Sequence, residues 1–156
     1  MLDRLVRGAA AGLAGTLVLQ ALRTASEKAA PSTMPPIRQD PGEYLVDRVE
    51  QALPGGVRAH VPALAETVAA KGLAAGYGIT AGAVYGLVRP RGGDVLVDGV
   101  AVGLGTWAAG YLGWLPALGL MPPVSEQDAP EALGPMVRHA LFGIAVVAAF
   151  NQLRRR

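Results

Sequence analysis

Four stretches of the chain are nearly free of charge, and polar, proline-rich segments separate them. They cover residues 5–22, 63–88, 95–118 and 136–153, and each is long enough to be read as a membrane-crossing helix. The second is the least regular. Glu66 and Lys71 interrupt its first half, whereas residues 72–88, GLAAGYGITAGAVYGLV, carry no charge. As a helix that part is about 25 Å long, which suits a thin or locally adapted bilayer. Lys71 is then expected at the interface, where a long stem lets the ammonium reach water. A different pattern lies in DPGEYLVDRVEQALPGG. Asp40 reads as an N-cap with Pro41 at N1 and Glu43 at N3. Leu45, Val46, Val49, Ala52 and Leu53 form one apolar stripe, and Pro54-Gly55-Gly56 ends it. This predicts an amphipathic helix at 41–53 that lies on the membrane surface or caps the bundle. The expected fold is all-α, one integral-membrane domain over 1–156, with four transmembrane helices and a short amphipathic helix in the first outer loop.

The glycines in these stretches are spaced. Gly72 and Gly76 are four apart, as are Gly78, Gly82 and Gly86; Gly8, Gly12 and Gly15 share a face, and so do Gly99 and Gly103. In water each interior glycine costs a helix roughly 1 kcal/mol against alanine. In a bilayer the helix is the only way to satisfy the backbone, and small residues at these spacings let two helices approach closely. These ten glycines are therefore read as helix-packing positions, a glycine zipper.

The chain also echoes itself. Met34-Pro35-Pro36-Ile37 follows the first span and Met121-Pro122-Pro123-Val124 the third. Gly8-x3-Gly12-Leu13 matches Gly99-x3-Gly103-Leu104, and Lys71-x4-Gly76 matches Arg138-x4-Gly143. Each half reads helix, Met-Pro-Pro loop, helix in the same orientation, which predicts two parallel-repeat helical hairpins. With its four-span layout, its Met-Pro-Pro loop and a glycine-rich second span ending in AGAVYG, the chain resembles the YagU-like group of bacterial inner-membrane proteins. The resemblance implies a membrane location and supplies no activity to carry over to any residue.

Charge adds an orientation. Arg4, Arg7, Arg89, Arg91 and Arg154 to Arg156 fall on one side of a four-span protein, and the 119–134 loop holds no lysine or arginine. By the positive-inside rule both termini face the cytoplasm of a bacterial inner (plasma) membrane. The first span follows Arg4 and Arg7 as a signal peptide would, but RTASEKAAP offers no clean cleavage site, so a retained helix is expected. The chain has no cysteine, which excludes disulfides and thiolate chemistry. No basic patch interleaved with aromatics points to nucleic acid.

Candidate chemistry is sparse. Glu66, Lys71, Arg138 and His139 fall near the outer ends of their spans and could line a polar vestibule; interfacial snorkelling or structural ion pairing is the competing reading, and lipid-headgroup binding by the basic residues is a third. Asp94 and Asp98 are one helical turn apart, but a metal-dependent phosphotransferase would need further aspartates and an arginine downstream that are missing. His60 and His139 stand alone, without the spacing of a zinc or haem site. Trp107, Tyr111 and Trp114 make a stripe suited to packing and interface anchoring, or to clamping a lipid or pigment. No catalytic residue, metal or cofactor is expected. The leading expectation is a non-catalytic accessory or assembly subunit, with membrane lipids and other subunits or a second copy as partners. The alternative is a homo-oligomeric transporter or channel with a polar outer vestibule.

Overall fold

The computed structural model describes residues 1–52, 63–89 and 94–155, and of 63–66 the backbone alone. These residues form helices and short turns, with no strand among them. Helix α1 is Leu2–Ala29, α2 is Pro41–Ala52, α3 is Ala63–Val88, α4 is Val95–Trp107 and α5 is Ala129–Arg155. The proposed stop of α2 at Pro54-Gly55-Gly56 and the turn at 90–93 lie outside the described residues.

Two helices run further than the apolar pattern. Helix α1 continues past residue 22 to Ala29, and Arg23 pairs with Glu27 one turn on at 3.0 Å, a spacing that supports a helix surface. Helix α5 starts at Ala129 rather than 136. Just before it the Asp128 N–H donates to Glu131 Oε2 at 3.3 Å, the reciprocal half of a capping box. Polar residues that the hydropathy pattern assigns to loops are thus helical, because local pairing and capping sustain the helix where lipid no longer requires it.

Helix α4 does not stop at Trp107. A π-helical turn, Ala108–Trp114, carries it into a last turn, Leu115–Ala117. Pro116 explains the wide turn: it has no N–H for the carbonyl four residues back, and its ring would strike that carbonyl. The chain opens instead, with the Leu115 N–H reaching the Gly110 carbonyl five residues back. Gly119, at φ 72°, then reverses the chain, and the Leu120 N–H donates to the Leu115 carbonyl at 3.0 Å. This left-handed position favours glycine.

The helices pack in two pairs. Helix α1 lies along α3, α4 lies along α5, and α1 against α5 joins the pairs; α3 and α4 scarcely touch. Glycine sets the closest approaches. A methyl group at Gly8 would strike the Gly82 carbonyl, one at Gly12 the Gly78 carbonyl, and one at Gly86 the Arg4 carbonyl. In the other pair, a methyl at Gly103 would strike the His139 carbonyl, one at Gly99 the Ile144 backbone, and one at Gly143 the Gly99 carbonyl. Gly15 faces Phe142 and Val146 of α5, and Gly78 faces the Thr16 side chain. Gly72 and Gly76 face open space.

The apolar core is small: Ala11, Tyr85, Phe142, Val146, Val147 and Phe150 meet where α1, α3 and α5 converge. Most of the remaining apolar length faces outward. Helix α1, the stretch Val95–Ala117 and α5 are each long and apolar enough to cross a membrane, with 28%, 17% and 39% of those windows buried inside. A soluble bundle turns its apolar stripe inward; here the stripe faces out, as lipid requires. These helices mark a membrane protein. Helix α3 is not among the three, since much of its length is glycine and alanine and it contains Glu66 and Lys71.

Two contacts define the ends of the bundle. The Arg38 N–H donates to the Leu120 carbonyl at 2.8 Å, so the loops after α1 and after α4 meet at one end, the loop end. At the other, the terminal end, Arg4 Nη2 donates to the Arg89 carbonyl at 3.1 Å and the Arg89 guanidinium lies 5.7 Å from the Phe150 ring centre.

Candidate functional site

A cavity of about 260 Å³ lies at the loop end, with α1, α3, α4 and α5 all contributing to its wall. It exists because α3 and α4 do not close on each other as the glycine-paired helices do. At the cavity a polar contact ties the two: the Tyr77 hydroxyl donates to the Thr106 carbonyl at 2.9 Å. Leu73 and Tyr77 line the cavity and are also 44% and 40% exposed, so the wall there is one side chain thick.

Helix α2 roofs the cavity with Asp40, Gly42 and Leu45. Asp40 Oδ1 accepts the Gly42 and Glu43 N–H groups at 2.8 and 3.3 Å, which caps the helix. Gly42 seats it, because a methyl there would strike the Ala70 carbonyl of α3. Behind the roof Leu115, Leu120 and Met121 are buried, with Tyr44, Tyr111 and Trp114 packed against them.

The buried cation of the wall comes from α5. Arg138 is 7% exposed. Its Nη1 donates to Thr33 Oγ1 at 3.2 Å and its Nη2 to the Thr33 carbonyl at 2.9 Å. The two ion pairs among the described residues, Arg7–Asp3 and Arg23–Glu27, do not include it. The neighbouring His139 Nδ1–H donates to the Pro135 carbonyl at 2.8 Å; a carbonyl only accepts, so the proton sits on Nδ1. Tyr111 stands edge-on to the His139 ring at 5.5 Å and lies nearly parallel to Trp107 at 6.1 Å. Tyr111 and Trp114 line the cavity and Trp107 does not, so the aromatic stripe divides between cavity wall and helix surface.

The four residues of the expected vestibule separate. Arg138 and His139 are in the cavity wall. Lys71 is exposed on α3, two residues before the wall begins at Leu73. The Glu66 side chain lies outside the described residues. Arg23, Tyr77 and Thr106 belong to the wall and were not singled out from the sequence. Arg23 follows an apolar run, where interfacial arginine is ordinary, and Tyr77 sits in an uncharged run that reads as apolar. Their inward direction depends on which helices pair.

A second polar cluster lies at the terminal end. Arg89 Nε donates to the Tyr85 hydroxyl at 3.0 Å, and that hydroxyl donates to Asp98 Oδ2 at 3.0 Å. This chain ties the end of α3 to the start of α4. Asp94, the other aspartate of the pair, accepts the Leu96 and Val97 N–H groups at 2.8 and 2.9 Å and caps α4. No group of three or more histidine, cysteine, aspartate or glutamate side chains placed for a metal occurs among the described residues.

Set against family models, curated proteins and solved structures, the chain matches none.

Proposed function

We propose that the protein is a non-catalytic, four-span membrane protein that binds a membrane-derived molecule in the cavity at its loop end, the cavity being the observation that carries the reading. It belongs to the binding-and-transport class rather than to enzymes. Support for binding over catalysis comes from the wall: Asp40, the one carboxylate among its described residues, is engaged in capping α2, which leaves no free carboxylate beside His139. Support for a fourth span comes from the loop contact. Helices α1 and α4 both run toward the Arg38–Leu120 hydrogen bond, so the chain between them returns across the bundle. Helix α3, about 39 Å long at 26 residues, is the element available to do it. The setting is a bacterial inner membrane with both termini cytoplasmic, with lipid rather than nucleic acid as partner.

The accessory-subunit reading takes second place. It draws on glycine faces in excess of what one bundle needs, and in the fold most of them face another helix of the same chain. Gly72 and Gly76 favour it still, since their open face on α3 is free to meet another subunit or a second copy. An internal duplication also fits the glycines. Gly82 meets the Gly8 and Gly12 backbone as Gly143 meets that of Gly99 and Gly103. Gly143 then corresponds to Gly82, not to Gly76 as the sequence match has it. Membership of the YagU-like group is part of the same proposal.

The test is purification in a mild nonionic detergent with mass spectrometry of whatever stays bound. The wild type is expected to retain a lipid-class molecule, and Gly110→Phe to lose it without unfolding, since Gly110 lines the cavity with its nearest side-chain atom 3.8 Å from an added Cβ. A stable heteromeric complex with an empty cavity overturns the reading in favour of the accessory subunit.

A further inference from the structure

We infer that the cavity takes an amphiphile with an anionic head, the head held by Arg138 and the apolar part lying along the α3–α4 seam. This rests on the reading of the cavity as a binding site and names its ligand class. The charge balance of the wall leads to the head group. Three charged residues line the cavity: Arg23, Asp40 and Arg138. Arg23 is half-exposed and paired with Glu27 at 3.0 Å. Asp40 is held by the amide groups that open α2. Arg138 is buried, and among the described residues it hydrogen-bonds only to the neutral oxygens of Thr33. Glu27, the carboxylate whose charge reaches it, is ion-paired with Arg23 instead. A buried cation without its own ion pair is costly, and a planar guanidinium with free N–H groups matches a carboxylate or phosphate.

Most of the rest of the wall is apolar or aromatic, with Leu19, Leu73, Trp114 and Phe142 among it, and Thr16, Gln20 and Thr106 are neutral polar members. A small hydrophilic anion would leave the apolar side chains without a partner. A cavity of about 260 Å³ is below the usual volume of a site that encloses a drug-sized ligand. It holds a head group and the first carbons of a chain, and the remainder must lie outside. The direction outward is the seam where α3 and α4 scarcely touch and where Leu73 and Tyr77 are both wall and surface. A chain leaving there enters the lipid.

The test uses the full-length protein in nonionic detergent, with ligand-induced thermal stabilisation and native mass spectrometry as readouts. Four probes are compared: oleate, oleyl alcohol, dioleoylphosphatidylglycerol and dioleoylphosphatidylcholine. At least one anionic probe is expected to act at a concentration about tenfold below that of its neutral or zwitterionic counterpart, the ratio of one charge-assisted hydrogen bond. Preference for oleate alone assigns a free carboxylate head; preference for phosphatidylglycerol assigns a phospholipid phosphate. Arg138→Gln is expected to abolish the preference while oleyl alcohol still binds, and Arg138→Lys to keep it. The wild-type comparison stands alone should Arg138→Gln fail to fold. Equal action of charged and neutral probes on the wild type, or a preference that survives Arg138→Gln, overturns the head-group assignment and leaves the binding site standing. No stabilisation by any of the four overturns the binding site itself.

Discussion

Glycines alike in sequence are unlike in their surroundings. Gly82 packs against the Gly8 carbonyl and the Gly12 backbone, whereas Gly76, six residues away on the same helix, faces open space. A methyl group at Gly82 can be accommodated only if two backbones separate. Gly82→Ala is expected to destabilise the protein by about 1–3 kcal/mol, the usual cost of overpacking. Gly76→Ala is expected to be neutral or to stabilise by up to about 1 kcal/mol through helix propensity. Melting curves in one detergent would separate them, and equal shifts would sink the packing account. Tyr85 permits a similar test. Its hydroxyl accepts from Arg89 and donates to Asp98, so Tyr85→Phe leaves both without a partner. A loss of about 1–3 kcal/mol is expected, and Asp98→Asn in the same background should cost less than it does in the wild type. Spacing proposes the glycines as packing positions, since four-residue repeats place them on one face. It did not distinguish Gly76 from Gly82, because the facing helix is absent from a linear pattern. Arg138 and His139 were legible for a different reason: charge in an apolar run is rare.

At the scale of elements, α2 is the part whose behaviour the fold defines most sharply. Amphipathic spacing predicts it; seating at the roof of a cavity comes from one residue, Gly42, which packs on the Ala70 carbonyl of α3. Gly42→Val is expected to lift α2 while leaving the paired helices intact. The chain has no cysteine, so a cysteine at Leu45, a roof residue, reports the change without background. Its maleimide labelling should rise several-fold in Gly42→Val. Unchanged labelling, with unchanged binding of the probes, would mean that α2 is not the roof. The π turn of α4 shows where the pattern fell short. An α-helical count puts Trp107, Tyr111 and Trp114 on one face, but the wider turn ahead of Pro116 changes that register. Tyr111 and Trp114 then reach the cavity and Trp107 does not.

For the whole molecule the question is whether α3 crosses the membrane. Its composition leaves this open, for glycine lowers its hydropathy and it is not among the three helices apolar enough to span. Packing supports the proposed crossing. Helix α3 lies along the first half of α1, from Gly86 beside Arg4 to Gly78 beside Thr16, and α1 meets the span criterion. Its outward residues Val68, Leu73, Val84 and Val88 are exposed, as on the other helices. A span of this kind keeps its glycines for the partner helix and its few large apolar side chains for lipid. Hydropathy scales score composition and not direction, so they do not register such an arrangement. Cysteines at Gln51 and Ser125, both exposed, decide the matter. If α3 crosses, the two sites lie on the same, outer side, and a membrane-impermeant maleimide labels both in intact cells. If it does not, three crossings place them on opposite sides and only one is labelled. A third cysteine at Arg155 should label only after permeabilisation in the four-span arrangement. Labelling of Gln51 and Ser125 on opposite sides would also remove the returning chain from which the fourth wall of the cavity is built, so this experiment bears on the bundle and on its binding site together.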